Sequence, residues 1–134
     1  MDARPTKNGK LIDPAIVAAI CALPRDFHAG AGSPIRLVQQ SGYRGVHDAI
    51  SAADIAQHLI ADPSLIDEWQ RWSWDKRTSE GWYLQLHGEG GYIGYVGRTD
   101  PEVYFSSRTE AVAHFILREI ASIDALDSHR DRTT

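Results

Sequence analysis

The stretch WQRWSWDKRTSEGWY, residues 69–83, holds all four tryptophans of the chain and decides its fold. Before Gly81 the apolar residues recur at steps of three and four, which is typical of a helix. After Gly81 apolar and polar residues alternate, which is typical of a strand that is buried on one face. The chain therefore changes from helix to sheet within this stretch, and large aromatic rings stand on both sides of the change.

The helix predicted before Gly81 carries one apolar stripe that should face the core. Leu65, Ile66, Trp69 and Trp72 share that stripe, because residues three or four apart lie on the same side of a helix. Trp74 lies about 200° around the helix from Trp72, so it should point away from the stripe. We therefore expect Trp69 and Trp72 to be buried, and Trp74 to be exposed or to cover an edge of the sheet.

Three strands are predicted after Gly81. In the first, three apolar residues alternate with three others: Trp82, Leu84 and Leu86 with Tyr83, Gln85 and His87. The glycine-rich run at 87–91 predicts a hairpin turn, because glycine adopts the positive φ of tight turns. Residues 92–97 form the second strand, in which Gly94 indicates a bulge or a close approach by another element. Residues 102–106 form a short third strand.

A long helix is predicted at the C-terminal end. Residues 107–110, Ser-Arg-Thr-Glu, have the spacing of a capping box. One apolar stripe follows at helical spacing and should pack on the sheet: Val112, Phe115, Ile116, Ile120 and Ile123. Four charged side chains are expected to remain in water: Arg108, Arg118, Glu119 and Asp124.

Several shorter helices are predicted in the N-terminal half. Asp13-Pro14 is a cap followed by a proline at the first helical position, and Pro24 should end that helix. A glycine-rich loop is expected at 27–32, and Ser33-Pro34 repeats the starting signal for a helix through Gln40.

A further helix should begin at a capping box made by Ser51 and Asp54. Ile55, Leu59 and Ile60 would give it an apolar face, and Asp62-Pro63 would separate it from the tryptophan-bearing helix. The sequence thus predicts an α+β fold: N-terminal helices, a three-stranded antiparallel β-meander, and a long C-terminal helix packed on the sheet.

The 134 residues correspond to a single domain, 1–134, with ends at 1–10 and 127–134 that we expect to fray. The single cysteine, Cys21, excludes an internal disulfide and lies in an apolar stretch, so it should be buried. No apolar run reaches the roughly 18 residues that a membrane span needs, and no convincing cleavage site follows the basic N-terminus. We therefore expect a cytoplasmic protein.

Charge is distributed unevenly along the chain. The net charge of −4 argues against a nucleic-acid-binding protein. No lysine or arginine occurs between Arg44 and Arg71, but five acidic residues do: Asp48, Asp54, Asp62, Asp67 and Glu68. A negative field from this segment would suit a basic partner. The alternative is a solvated helix face that only keeps the protein soluble.

The sequence offers little sign of catalysis. None of the six histidines has the spacing that places two metal ligands on one helix face, so we expect no metal site. The glycines between the strands do not precede a helix, so no phosphate loop and no cofactor is expected. His47 and His87 leave one alternative open, a small nuclease that uses histidines for acid–base chemistry on RNA.

Seven segments together resemble the bacterial immunity proteins that are encoded beside contact-dependent or secreted polymorphic toxins. They are Ser33-Pro34-Ile35, Ser41-Gly42-Tyr43, Ile50 to Ile55, WQRWSWDKR at 69–77, Gly81-Trp82-Tyr83, Ile93-Gly94-Tyr95 and EAVAHFILREI at 110–120. The similarity spans roughly residues 33–123. It implies a non-catalytic protein that binds and neutralises the toxin domain delivered by a neighbouring cell, with no membrane and no nucleic acid as partner. Such toxins are often nucleases and therefore basic.

Six residues are the candidate toxin contacts: Asp62, Asp67, Glu68, Trp74, Asp75 and Tyr83. Each has a structural alternative. The three acids at 62–68 can instead solvate the helix and support its N-terminus, and Asp67 and Glu68 can pair with Arg71. Trp74 can pack against the strands, and Asp75 can hold the corner between helix and strand.

Tyrosines on the sheet face opposite the C-terminal helix are further candidates for a contact surface. A third possibility is a regulatory module that binds a host protein. The short third strand leaves an edge open for pairing, so the chain should be a monomer or a weak dimer.

Overall fold

The computed structural model describes residues 12–76, 81–97 and 101–133, and it describes the side-chain environment for 12–75, 81–97 and 101–126. The elements in chain order are α1 (Pro14–Cys21), α2 (Leu23–His28), α3 (Pro34–Ser41), α4 (Tyr43–Val46), α5 (Ala52–Ala61), α6 (Ser64–Lys76), β1 (Gly81–His87), β2 (Gly90–Val96), β3 (Val103–Phe105) and α7 (Arg108–Thr133). This is the predicted α+β fold. Both ends that we expected to fray lie outside the residues whose side chains are described.

Capping residues start the helices where the sequence predicts. The Asp13 carboxylate accepts from the backbone N–H of Ala15 at 2.9 Å, and the Ser33 hydroxyl accepts from that of Arg36 at 3.2 Å. Gly42 ends α3 with a φ of 89°, a conformation that favours glycine. The capping box of Ser51 and Asp54 at the start of α5 is complete.

Two predictions in the N-terminal half are wrong. We expected Pro24 to end the first helix, but that helix already ends at Cys21. Pro24 occupies the first turn of α2, where a proline is tolerated because that N–H has no partner within the helix, so the expected loop begins after His28. Ile60 is 64% exposed, because the buried face of α5 runs through Ile55 and Leu59 on the other side of the helix.

The sheet is an antiparallel meander in the order β1-β2-β3. A two-residue turn at Gly88 and Glu89 joins the first two strands, and Gly88 has the positive φ, 59°, that such a turn needs. Gly94 makes no bulge, since it pairs directly with Tyr83. It permits a close approach instead: a Cβ there would lie 2.5 Å from the Tyr83 hydroxyl, so the tyrosine ring lies across the glycine.

The core lies between α7, the inner face of the sheet and the N-terminal helices. All five residues of the predicted α7 stripe are buried, as are Trp69 and Trp72. The indole N–H of Trp69 donates to the carbonyl of Cys21 at 2.8 Å. Cys21 is itself buried, which raises the pKa of its thiol to about 12.

We expected Glu119 to remain in water, but the structure buries it. It is only 3% exposed, and its carboxylate accepts a hydrogen bond of 2.8 Å from the Trp72 indole N–H. A buried carboxylate is costly unless it is hydrogen-bonded, and the tryptophan of α6 supplies one such bond from across the core. Arg118 is half-buried, with its guanidinium 4.8 Å from the centre of the Trp82 ring.

The two edges of the sheet differ. Helix α6 covers the β1 edge, and its side chains bond the backbone groups of β1 that a neighbouring strand would otherwise pair with. The Gln70 amide donates to the carbonyl of Leu84 at 2.8 Å and accepts from the N–H of Leu86 at 2.7 Å, while the Ser73 hydroxyl accepts from the N–H of Leu84 at 2.8 Å. At the opposite edge the three-residue strand β3 exposes Val103 and Tyr104. No helix in the described part of the chain is both long and apolar enough to cross a membrane.

Candidate functional site

Asp62, at the end of α5, and Glu68 of α6 both form salt bridges with one arginine. Arg25 of α2 contacts Glu68 at 2.5 Å and Asp62 at 3.2 Å. A hydrogen bond from the Ser64 hydroxyl and the charge of Arg25 hold the pKa of Asp62 below its ordinary value. Two of the three candidate acids at 62–68 thus form a clamp with the N-terminal half, in which the single positive charge of Arg25 offsets one of their two negative charges.

The third acid, Asp67, is the most available of the three. Its side chain is 74% exposed and lies 3.6 Å from Arg108. Within the described residues Arg71 pairs with neither Asp67 nor Glu68, so the local pairing that the spacing allowed does not form. Asp54 belongs to the α5 capping box. The acidic segment as a whole therefore presents less free negative charge than its sequence implies.

His47 and His87 do not meet. His47 adjoins Arg44, which pairs with Asp124 of α7 at 2.6 Å. His87 ends β1 beside the hairpin, where Arg108 donates to the carbonyl of Gly88 at 3.1 Å. Asp124 and Arg108 are separated by about 24 Å along the helix, at a rise of about 1.5 Å per residue. This separation removes the pair as joint acid and base for RNA cleavage.

The outer face of the sheet carries a row of aromatic side chains. Because residues alternate between faces and the register is fixed, Tyr83, Tyr92 and Tyr104 all point away from α7, whereas Tyr95 points inward and contacts Trp82. The rings of Tyr83 and Tyr92 are 6.4 Å apart at their centres, and those of Tyr92 and Tyr104 are 5.0 Å apart. The three rings thus form one continuous row across all three strands.

Glu102 joins the two ends of this row. Its carboxylate accepts a short hydrogen bond from the Tyr83 hydroxyl and another, of 3.0 Å, from the Tyr104 hydroxyl. The bond to Glu102 raises the pKa of Tyr83 to about 12, and it also raises the pKa of Tyr104. Both hydroxyls therefore stay protonated at neutral pH, and the tyrosines are held in place although the face is open to water.

Trp74 extends the aromatic row past the covered edge of the sheet. It is 46% exposed, as its position on α6 predicts. Its ring borders an open cleft of about 280 Å³, which is lined by Ser73, Trp74, Tyr83, Leu84, Gln85 and Val96. Asp75, the next residue, is exposed in the last turn of α6. The rest of the predicted corner, residues 77–80, lies outside the described residues.

We call the surface made by Trp74, Tyr83, Tyr92, Val96, Glu102 and Tyr104 the outer face. Among the described elements, α7 packs on the inner side of the sheet and α6 along its edge. Trp74, Val96 and Tyr104 are three of the large apolar side chains that remain exposed. Aromatic side chains that are exposed together and flanked by polar groups are typical of a protein-binding surface.

The structure brings some of the six candidate residues together and separates others. Trp74 and Tyr83 border the same cleft, and Asp75 follows Trp74. Asp62 and Glu68 lie in the Arg25 clamp instead. The sequence did not predict that Glu102 belongs to this surface or that the three tyrosines form one row. The alternation of the strands alone already places Tyr83 and Tyr92 on one face.

A second depression lies between α5 and α7 and has a volume of about 380 Å³. Four alanines line much of it, together with Gln57, Glu110 and His114. The His114 ring stacks on Phe105 with centres 4.7 Å apart, and burial followed by the charge of Arg118 lowers its pKa. Since this histidine is held against its own core and no tryptophan, tyrosine or phenylalanine lines the depression, we favour the outer face as the site.

No group of three or more potential ligands for a metal ion occurs within residues 12–75, 81–97 and 101–126. Comparison of the chain with protein-family models, with curated proteins and with solved structures gives no match.

Proposed function

We propose that this protein is an immunity protein that binds a cognate bacterial toxin domain in the cytoplasm and neutralises it without catalysis. The observation that carries the proposal is the outer face, where Trp74 and three tyrosines form an open aromatic surface on a rigid sheet. Tight interfaces depend on a few aromatic side chains of this kind. The resemblance of residues 33–123 to immunity proteins supplies the kind of partner.

The physical case for a binding face is that its side chains are already ordered. Tyrosines that are fixed by Glu102 and by their neighbours lose little conformational freedom when a partner docks. Their rings offer apolar area, and their hydroxyls can exchange hydrogen bonds with a partner. The clamped acids Asp62 and Glu68 offer less, because a partner would have to compete with Arg25 for them.

The test is calorimetry with the C-terminal domain of the secreted protein encoded immediately upstream. We expect nanomolar affinity for the wild-type chain and a loss of at least thirtyfold, about 2 kcal/mol, for Tyr104→Ala. Ile60→Ala is the matched control. It removes a large exposed apolar side chain from α5, away from the outer face, and should bind like the wild type.

Salt separates this interface from one that is based on the acidic helix. Binding through the aromatic face should weaken only slightly between low and high salt, whereas binding through Asp62, Asp67 and Glu68 should weaken strongly. Absence of any measurable affinity would refute the immunity function. Nanomolar affinity that Ile60→Ala abolishes and Tyr104→Ala leaves unchanged would keep the function and refute the outer face.

A further inference from the structure

The cleft beside Trp74 is small and open. Its volume of about 280 Å³ lies just below the roughly 300–1,000 Å³ that small-molecule sites occupy. It is also open along one side, so it cannot enclose a substrate. Pockets of this kind in protein interfaces receive one anchoring side chain from the partner.

The chemistry of the cleft selects what can fill it. Val96 supplies apolar contact, and the exposed indole of Trp74 supplies an aromatic wall. Negative charge is available from Asp75, the exposed residue that follows Trp74 in the last turn of α6. A long apolar stem that ends in a positive charge matches both properties.

The chain makes the same kind of contact within its own fold. On the inner side of β1, the guanidinium of Arg118 lies 4.8 Å from the centre of the Trp82 ring. Arginine is suited to this arrangement because its planar group stacks on an aromatic face while its N–H groups remain free to bond. Trp74 offers an uncovered indole on the other side of the sheet, and the described structure places no cation over it.

We propose that the cleft between Trp74 and Tyr83 is the anchor site for one arginine side chain of the partner protein. The guanidinium stacks on the Trp74 indole, the stem lies against Val96, and the carboxylate of Asp75 complements the charge. This proposal rests on the proposed function, because it names the group of the toxin that the outer face recognises.

A probe that does not require the toxin tests the site directly. N-acetyl-arginine amide is titrated into the full-length protein, and the indole N–H signals of the tryptophans are followed by NMR. N-acetyl-citrulline amide is the matched control, since it has nearly the same shape without the charge. We expect the arginine probe to shift the Trp74 signal with a saturating curve in the millimolar range, and the citrulline probe to shift it at least fivefold less.

Two variants test whether the arginine probe binds beside Trp74. Trp74→Leu should abolish the response of the neighbouring Tyr83 signals to the arginine probe, whereas Ile60→Ala should respond as the wild type does. Equal shifts with both probes would overturn the proposal, because the cleft would then not select for charge. A Trp74 signal that stays constant up to about 50 mM probe, well above the millimolar range expected for saturation, would overturn it as well.

The toxin complex separates this proposal from the proposed function. We expect Trp74→Leu to weaken toxin binding about thirtyfold and Trp74→Phe about fivefold, since phenylalanine keeps an aromatic face. Tight toxin binding that Trp74→Leu leaves intact would overturn the arginine site and leave the immunity function standing. A selective arginine response without any toxin binding would leave the site standing and refute the immunity function.

Discussion

The two faces of the sheet use the same residue types for opposite purposes. On the inner face, Trp82 and Tyr95 pack against each other, and Arg118 of α7 covers the Trp82 ring. On the outer face, Tyr83, Tyr92 and Tyr104 are ordered by Glu102 and by one another, but no described helix covers them. Aromatic content alone therefore does not distinguish core from binding surface. The two faces differ in what holds their rings in place: helix α7 on the inner face, and the single carboxylate of Glu102 on the outer face.

The largest effect should come from breaking the inner face. Phe115 of α7 is fully buried and its ring contacts Trp69 at 6.0 Å between centres. Phe115→Ala should lower the free energy of unfolding by about 3–5 kcal/mol, because it removes apolar contacts and leaves a cavity. Urea denaturation measures this. Tyr104→Ala on the outer face should cost less than about 1 kcal/mol in the same assay, and equal losses would contradict the contrast between the faces.

A smaller loss should follow when the buried hydrogen bond between α6 and α7 is removed. Trp72→Phe keeps most of the ring but deletes the N–H that bonds the Glu119 carboxylate at 2.8 Å. We expect the free energy of unfolding to fall by about 1–3 kcal/mol, since a buried carboxylate loses a donor. The double variant Trp72→Phe with Glu119→Gln should recover part of the loss. If it were as unstable as the sum of both single variants, the two side chains would not be coupled.

The outer face can be altered with little effect on the core by Glu102→Gln. Glu102 raises the pKa of Tyr83 to about 12 from an ordinary value of 10, so the substitution should lower that pKa toward 10. Since the pKa is raised in the folded state, its stabilising contribution is complete below pH 10 and disappears as the pH rises through 12. Ultraviolet titration of the tyrosines measures the shift. An unchanged titration curve would mean that Glu102 does not hold the ring.

The smallest stability effect should come from the Arg25 clamp. Arg25→Ala removes contacts to Asp62, Ser64 and Glu68, but these groups lie largely in water. We expect a loss of less than about 1 kcal/mol, decreasing further with added salt. The same variant should leave toxin affinity within about threefold of the wild type if the outer face is the interface. A large gain in affinity would show that the released acids bind the toxin after all.

Much of the fold was predictable because it follows from local rules. Caps such as Asp13, Ser33 and Ser51 marked helix starts, and the change of period at Gly81 marked the sheet. Glu119 and Ile60 were misplaced because their surroundings come from distant elements. The position of Glu119 on its helix alone predicts that its carboxylate is exposed. The indole that binds it belongs to Trp72, which lies 47 residues away in the sequence.

The candidate site was only partly predictable, for the same reason. The sequence correctly marked Trp74 as exposed, and Tyr83 as a candidate borders the same cleft. It did not reveal that Asp62 and Glu68 share a salt bridge to Arg25, because a count of charges along the chain does not show a contact with a helix about forty residues earlier. The link from Glu102 to both Tyr83 and Tyr104 depends on strand register, which spacing alone does not give.

Radical footprinting of the chain, with and without the proposed toxin domain, tests the central claim most directly, because hydroxyl radicals oxidise exposed tryptophan and tyrosine side chains. We predict that Trp74 and Tyr104 are oxidised rapidly in the free protein and become protected in the complex, while exposed Phe27 and Leu126, which lie outside the outer face, keep their rates. Protection of Phe27 or Leu126, with Trp74 and Tyr104 unchanged, would contradict the assignment of the outer face as the binding surface.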